Sequence, residues 1–134
     1  MRKSVIRAGL ETLYFSGAHR VARQFLAGAG AILTFHRVRP QPAGGFQPNG
    51  LLEITPAFLD EVLGALRAAD IDIIPIDQLA DRLANPTSRR FVVLTFDDGY
   101  RDNKEFAWPI LKRHGAPFTL YVPSAFAEGR QARG

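Results

Sequence analysis

The sequence predicts an α/β fold built on parallel strands, and three observations carry that expectation. Short runs of Val, Ile, Leu and Phe recur along the chain, each fenced by Gly, Pro or Asp as buried strands are. Between them lie stretches whose apolar residues recur at helical spacing, the alternation that builds βαβ units. The chain also has the means to bury a core, since 46% of its 134 residues are apolar and only 22% are charged.

The elements follow in order. Residues 1–28 read as a basic helical leader, with Val5, Ile6, Leu10, Leu13, Tyr14, Val21, Phe25 and Leu26 on loosely helical spacing. Ala31 to His36 is a short apolar run between Gly30 and Pro40, hence a buried strand over 31–36. Three Pro and three Gly between Pro40 and Gly50 make a loop. Thr55-Pro56 opens a helix, with Thr as N-cap and Pro at the first helical position, and Phe58, Leu59, Val62, Leu63 and Leu66 form its apolar face. A second strand is expected over 72–76, with Pro75 marking an edge or an end, and Asp77 is placed to cap a short helix through Leu83. Phe91-Val92-Val93-Leu94-Thr95-Phe96 is the strongest strand signal and stops at Asp97-Asp98-Gly99. A helix follows from about Asn103 to His114, bent or restarted at Pro109 and closed by Gly115, and a fourth strand covers 118–122.

Charge and composition exclude several function classes. With no cysteine, disulfides, thiolate metal sites and cysteine nucleophiles are all ruled out, so any metal must be held by His, Asp or Glu. The net charge of +4 is uneven: residues 1–39 hold seven Lys and Arg against the single acid Glu11, while the remainder is slightly acidic. Such a leader could touch nucleic acid or anionic lipid, or it could simply be a solvated helix packed outside the domain. No aromatic and basic residues interleave on a strand pair, so a nucleic-acid partner is not expected. No run approaches the roughly 18 apolar residues of a membrane span, and the N-terminus is broken by charges. No membrane span is expected, and with no export signal the expected location is cytoplasmic.

Chemistry concentrates after the strongest strand. In parallel α/β sheets functional groups collect beyond the carboxyl ends of strands, where Asp97 and Asp98 lie. A turn helped by Gly99 can swing two adjacent carboxylates toward one cavity. Such close acids rarely both stay ionised without a cation nearby; a metal dication would bind one and leave the other as proton acceptor. The alternative is that Asp97 and Asp98 cap the following helix, a task Asp102 or Asn103 could perform unaided.

Here the chain resembles a known family. Val93-Leu94-Thr95-Phe96-Asp97-Asp98-Gly99-Tyr100, then Asp102-Asn103, Pro109-Ile110-Leu111 and Gly115-Ala116-Pro117-Phe118-Thr119-Leu120-Tyr121-Val122, are similar to the first motif of the polysaccharide deacetylases, carbohydrate esterase family 4, which includes the nodulation chitooligosaccharide deacetylases. Leu33-Thr34-Phe35-His36-Arg37-Val38 resembles the opening strand of bacterial members. The resemblance covers roughly residues 31–127 and implies a partial, distorted (β/α) barrel. Residues 29–134 would be the N-terminal, truncated part of such a domain. It implies hydrolysis of N-acetyl groups on N-acetylglucosamine-containing oligo- or polysaccharides, with a divalent metal, zinc first, as cofactor. By position Asp97 matches the family's catalytic base and Asp98 its metal-binding aspartate. The family's downstream His-x-x-x-His pair, arginine motif, groove motif and histidine acid have no counterpart in this sequence, so the metal site is incomplete and the 134-residue chain is expected to be inactive.

The three histidines do not replace the missing pair. His114 follows Lys112 and Arg113 in a last helical turn, where a cation meets the helix dipole. His19 sits in the leader. His36 ends a strand on the side where Asp97 and Asp98 are expected, and either lines the substrate site or is a hydrogen-bonded structural residue. Two other readings remain open. One is phosphoryl chemistry, although the phosphatases with a similar acidic strand end need Asp-x-Asp where this chain has Asp97-Asp98-Gly99. The other is a non-catalytic remnant or interaction module.

Overall fold

A computed structural model describes residues 2–17, 28–41, 44 and 50–124. The elements run α1 (Arg2–Phe15), β1 (Gly30–Phe35), β2 (Arg37–Val38), β3 (Glu53–Ile54), α2 (Pro56–Ala68), β4 (Asp72–Ile73), α3 (Leu79–Ala84), β5 (Phe91–Phe96), α4 (Trp108–Arg113) and β6 (Thr119–Leu120). Short 3₁₀ turns precede β3 and α3, and a π-helical segment, Asn103–Ala107, runs directly into α4.

Every strand pairing among the described residues is parallel, and β5 organises the main sheet. All six of its residues are buried, as a Val- and Phe-rich strand covered on both faces should be. Along one edge it pairs with the whole of β1, from Gly30 opposite Phe91 to Phe35 opposite Phe96. Gly30 is required there, because a Cβ at this position would sit 2.5 Å from the Phe91 carbonyl oxygen. Two short strands share the other edge, β4 beside Phe91–Val92 and β6 beside Thr95–Phe96. The bonds beyond the ladders fix this arrangement: the Phe91 and Asp97 N–H groups donate to Ala29 and Phe35, whereas the Val92 and Phe96 carbonyls accept from Ile74 and Tyr121.

The faces of β5 divide the core. Val92, Leu94 and Phe96 pack with Leu59 and Leu63 of α2 and with Ala107, Ile110 and Leu111 of the π segment and α4. Phe91 and Val93 face Ile74, with Ile76 and Leu79 packed against them. Both interfaces follow from strand alternation, which sends successive side chains to opposite faces.

Several expected elements are realised as their residues dictate. Thr55 caps α2 by accepting the Phe58 N–H at 3.1 Å, and Pro56 occupies its first turn. Gly115 ends α4 at φ 55°; its N–H donates to Lys112 and the Ala116 N–H to Leu111, the paired closure that satisfies the last helical carbonyls. Other expectations need correction. The strands expected over 72–76 and 118–122 shrink to two residues each, the first because Pro75 cannot donate to a ladder. Asp77 is not a cap: it lies inside the 3₁₀ turn Ile76–Gln78, and α3 begins at Leu79 without a side-chain cap. β1 is not buried, since β5 is its one partner among the described residues and Ile32 is half-exposed. The helix expected to bend or restart at Pro109 instead widens before it: the Trp108 N–H donates to the Asn103 carbonyl, and the π segment passes without a gap into α4, which begins at Trp108. A second small sheet, β2 with β3, has no signal in the sequence, because each strand is two residues long.

The described part of the leader is helical in α1, where Leu13, Tyr14 and Phe15 are exposed. The positions Val21, Phe25, Leu26 and His19, most of the 40–50 loop and the tail from residue 125 lie outside the described residues. Among the described residues no helix is long and apolar enough to cross a membrane.

Candidate active site

The acidic turn is built by backbone before side chains enter. The Asp97 N–H donates to the Phe35 carbonyl at 2.8 Å, extending the β1–β5 ladder one step past the end of β5. Asp98 and Gly99 then both take left-handed conformations, φ 67° and 62°, and turn the chain sharply. Asp tolerates this region because its short polar side chain crowds the backbone little. At Gly99 a side chain is opposed twice, by the positive φ and by Val122 Cγ2, which would lie 2.9 Å from an added Cβ.

That turn brings Asp97 to His36. The Asp97 Oδ2 and His36 Nε2 are 3.8 Å apart, and the two side chains are about one-third exposed. This is ion-pair range but longer than a hydrogen bond, so the carboxylate keeps lone pairs free for another donor. Asp98, the next residue, is partly buried. The structure therefore joins two of the three residues singled out, His36 and Asp97, at the carboxyl ends of adjacent parallel strands. No group of three His, Asp or Glu side chains able to hold a metal occurs among the described residues. The donors present do not fit a resident metal by themselves.

Around this pair lies a polar network that residue types alone do not flag. Arg37 donates through Nε to Oδ2 of Asp102 at 2.8 Å, and its guanidinium stacks 4.7 Å above the Tyr100 ring. Arg39 binds Glu53 in bidentate fashion, both bonds at 2.7 Å, while Arg37 Nη1 lies 3.7 Å from the same carboxylate. Asn103 donates through Nδ2 to the His36 carbonyl at 3.0 Å. Asp102 and Asn103 are more than nine-tenths buried, and one oxygen of each has no partner among the described residues. Asp102 stands at the N-cap position of the π segment without a side-chain cap bond. The one signal that could have exposed the network is the spacing of Arg37 and Arg39, two apart on an extended segment and therefore on one face.

His114 belongs to a different cluster. Its Nε2 lies 2.5 Å from Oδ1 of Asp60 on α2, and Arg113 Nη2 reaches the same oxygen at 2.8 Å. The hydrogen bond from His114, then that from Arg113, hold the Asp60 carboxyl below its usual range. The end of α4 is thus tied to a side chain on α2, beyond the dipole contact expected from sequence.

Comparison with known proteins matches the segment that carries the acidic turn. Residues 84–132, which contain β5, the acidic turn, the π segment and α4, match the polysaccharide deacetylase family model. Over that segment the chain is similar to the polysaccharide deacetylases. Over 35 residues it is 46% identical to YxkH of Bacillus subtilis, which carries that family's name; the stretch is 26% of this chain and 12% of YxkH. Its fold is similar to that of the Streptococcus pyogenes deacetylase PplD, solved in complex with acetate, with a TM-score of 0.59 and 26% identity over 76% of this chain and 46% of that one. IcaB from Ammonifex degensii gives a TM-score of 0.58 at 26% identity, covering 69% and 37% of the two chains. The de-N-acetylase from Aggregatibacter actinomycetemcomitans, at 23% identity and a TM-score of 0.60, supports the fold alone, over 74% and 39%. The chain spans less than half the length of each. The mixed α/β fold with parallel strands matches these structures, as a partial barrel would.

Proposed function

We propose that this chain carries the acidic part of an N-acetyl hydrolase site acting on N-acetylglucosamine-containing oligo- or polysaccharides, with Asp97 as its proton acceptor. The observation that supports this most is the partly exposed Asp97 carboxylate, held at the end of a buried strand and 3.8 Å from His36, inside the segment that matches the deacetylase family. In the reaction, Asp97 takes a proton from a water whose oxygen attacks the acetamide carbonyl carbon. The C–N bond then breaks, the nitrogen takes up a proton and leaves as the free amine, and acetate is the other product. Acetate is also the molecule in the PplD complex. His36, across from Asp97, would line the space where the acetamide sits.

Asp98 is the proposed ligand for a divalent cation, zinc first, and the further ligands would have to come from outside the described residues. No step of the reaction is assigned to that cation. On this reading the 134-residue chain alone does not turn over. The test is acetate release from N-acetylglucosamine oligomers with zinc or cobalt added. The chain alone should release none, and a chimera completed with the remaining part of PplD should release acetate until Asp97→Asn is introduced. A folded chimera indifferent to Asp97→Asn would overturn the assignment of the base, and turnover by the chain alone would overturn the need for ligands beyond the described residues.

A further inference from the structure

We propose that Asp102 and Asn103 are positioning residues for the His36–Asp97 pair, an inference that rests on the reading of Asp97 as the base. Three consecutive residues at the end of β1 are gripped by one short segment after β5. The Phe35 carbonyl accepts from the Asp97 N–H at 2.8 Å, the His36 carbonyl accepts from Asn103 Nδ2 at 3.0 Å, and Arg37 Nε donates to Asp102 Oδ2 at 2.8 Å. His36 is therefore fixed on its own carbonyl and on both neighbours, and its imidazole is left facing Asp97. A freely rotating backbone at residue 36 would let the ring swing away from the carboxylate.

The cost of this arrangement argues that it does more than fill space. Asp102 and Asn103 are 7% and 6% exposed, yet Oδ1 of each lacks a partner among the described residues. A buried polar atom without a hydrogen bond is unfavourable, so an apolar pair would suit packing better. Asn103 also opens the π-helical segment, a wide turn that departs from regular helix where the two side chains enter the interior. The irregular turn and the unpaired oxygens are concentrated where the segment reaches His36 and Arg37.

The test reads the geometry directly, by NMR of the full chain with labelled histidines. The three imidazole signals are assigned by His36→Gln and His114→Gln. In the wild-type background Asp97→Asn should shift the His36 ring resonances. In Asn103→Asp, which keeps the shape but removes the donor to the His36 carbonyl, that response should be lost. Asp102→Asn should reduce it as well, and Arg37→Lys supplies a further variant should Asp102→Asn not fold. Asp60→Asn, which weakens the α2–α4 link, should leave the response intact. An unchanged His36 response in folded Asn103→Asp would overturn the proposal. If the response behaves as expected while the PplD chimera releases no acetate, the functional reading fails and the positioning survives.

Discussion

Two histidine–aspartate pairs occur among the described residues, and they are built for different ends. His114 and Asp60 join α4 to α2 at 2.5 Å, with Arg113 on the same oxygen, so that oxygen carries two donors and the carboxyl is held below its usual pKa range. His36 and Asp97 face each other at 3.8 Å across the ends of β1 and β5, open to solvent and held by backbone bonds rather than by each other. A contact that closes on itself stabilises. A contact held apart by its scaffold keeps capacity for a third party, and the family match falls on its Asp97 side.

The largest expected effect breaks that contrast on the catalytic side. Asp97→Asn in the completed chimera should lower acetate release by about 10²- to 10⁴-fold, the usual contribution of a general base. Asp60→Asn in the same background should leave the rate near wild type. Comparable losses in both would mean that the two pairs are not functionally distinct.

The next effect lies under the stabilising pair. Leu63, wholly buried on α2, packs against β5 and α4, so Leu63→Ala should destabilise the fold by about 3 kcal/mol in urea unfolding. Because it loosens the helix that carries Asp60, the His114 ring signal should shift while the His36 signal stays. A large shift at His36 would show that the two pairs share one rigid unit.

How far these sites were legible in the sequence follows from the range of the forces involved. β5 and its acidic turn were legible because an apolar run ending in Asp97-Asp98-Gly99 is decided by neighbours in sequence. The Thr55 cap and the Gly115 stop were legible for the same reason. What escaped depends on partners far along the chain. Asn103 reaches back 67 positions to His36, and Arg37 reaches forward 65 to Asp102. β2 and β3 are strands only because they find each other, and β4 and β6 share an edge of β5 because each is too short to fill it. The His114–Asp60 contact is of this kind too, which is why sequence alone offered only the helix dipole.

A smaller effect sharpens the comparison at the acidic turn. In Gly99→Ala the methyl group meets Val122 Cγ2, but that side chain is half-exposed and can move, so the left-handed φ of 62° dominates the penalty. The expected loss is about 1 kcal/mol. The His36 response to Asp97→Asn should be perturbed while His114 is untouched; the reverse pattern would misplace the turn.

The smallest effect separates the pairs by pH. The Asp60 carboxyl is held below its usual range first by the hydrogen bond from His114 and then by that from Arg113. A group whose folded pKa is depressed releases its proton more readily in the folded state, so it stabilises the fold at pH values above the unfolded carboxyl pKa. That contribution is lost as pH falls through the depressed folded value, where Asp60 becomes protonated in both states. Asp60→Asn should therefore lower Tm modestly at neutral pH, because an exposed pair is screened by water, and the difference from wild type should vanish in strong acid. Thermal unfolding followed at several pH values checks this. A gap in Tm that persists unchanged into acid would mean that the Asp60→Asn variant is destabilised through shape rather than charge, and the His114–Asp60 contact would then be packing rather than an electrostatic tie.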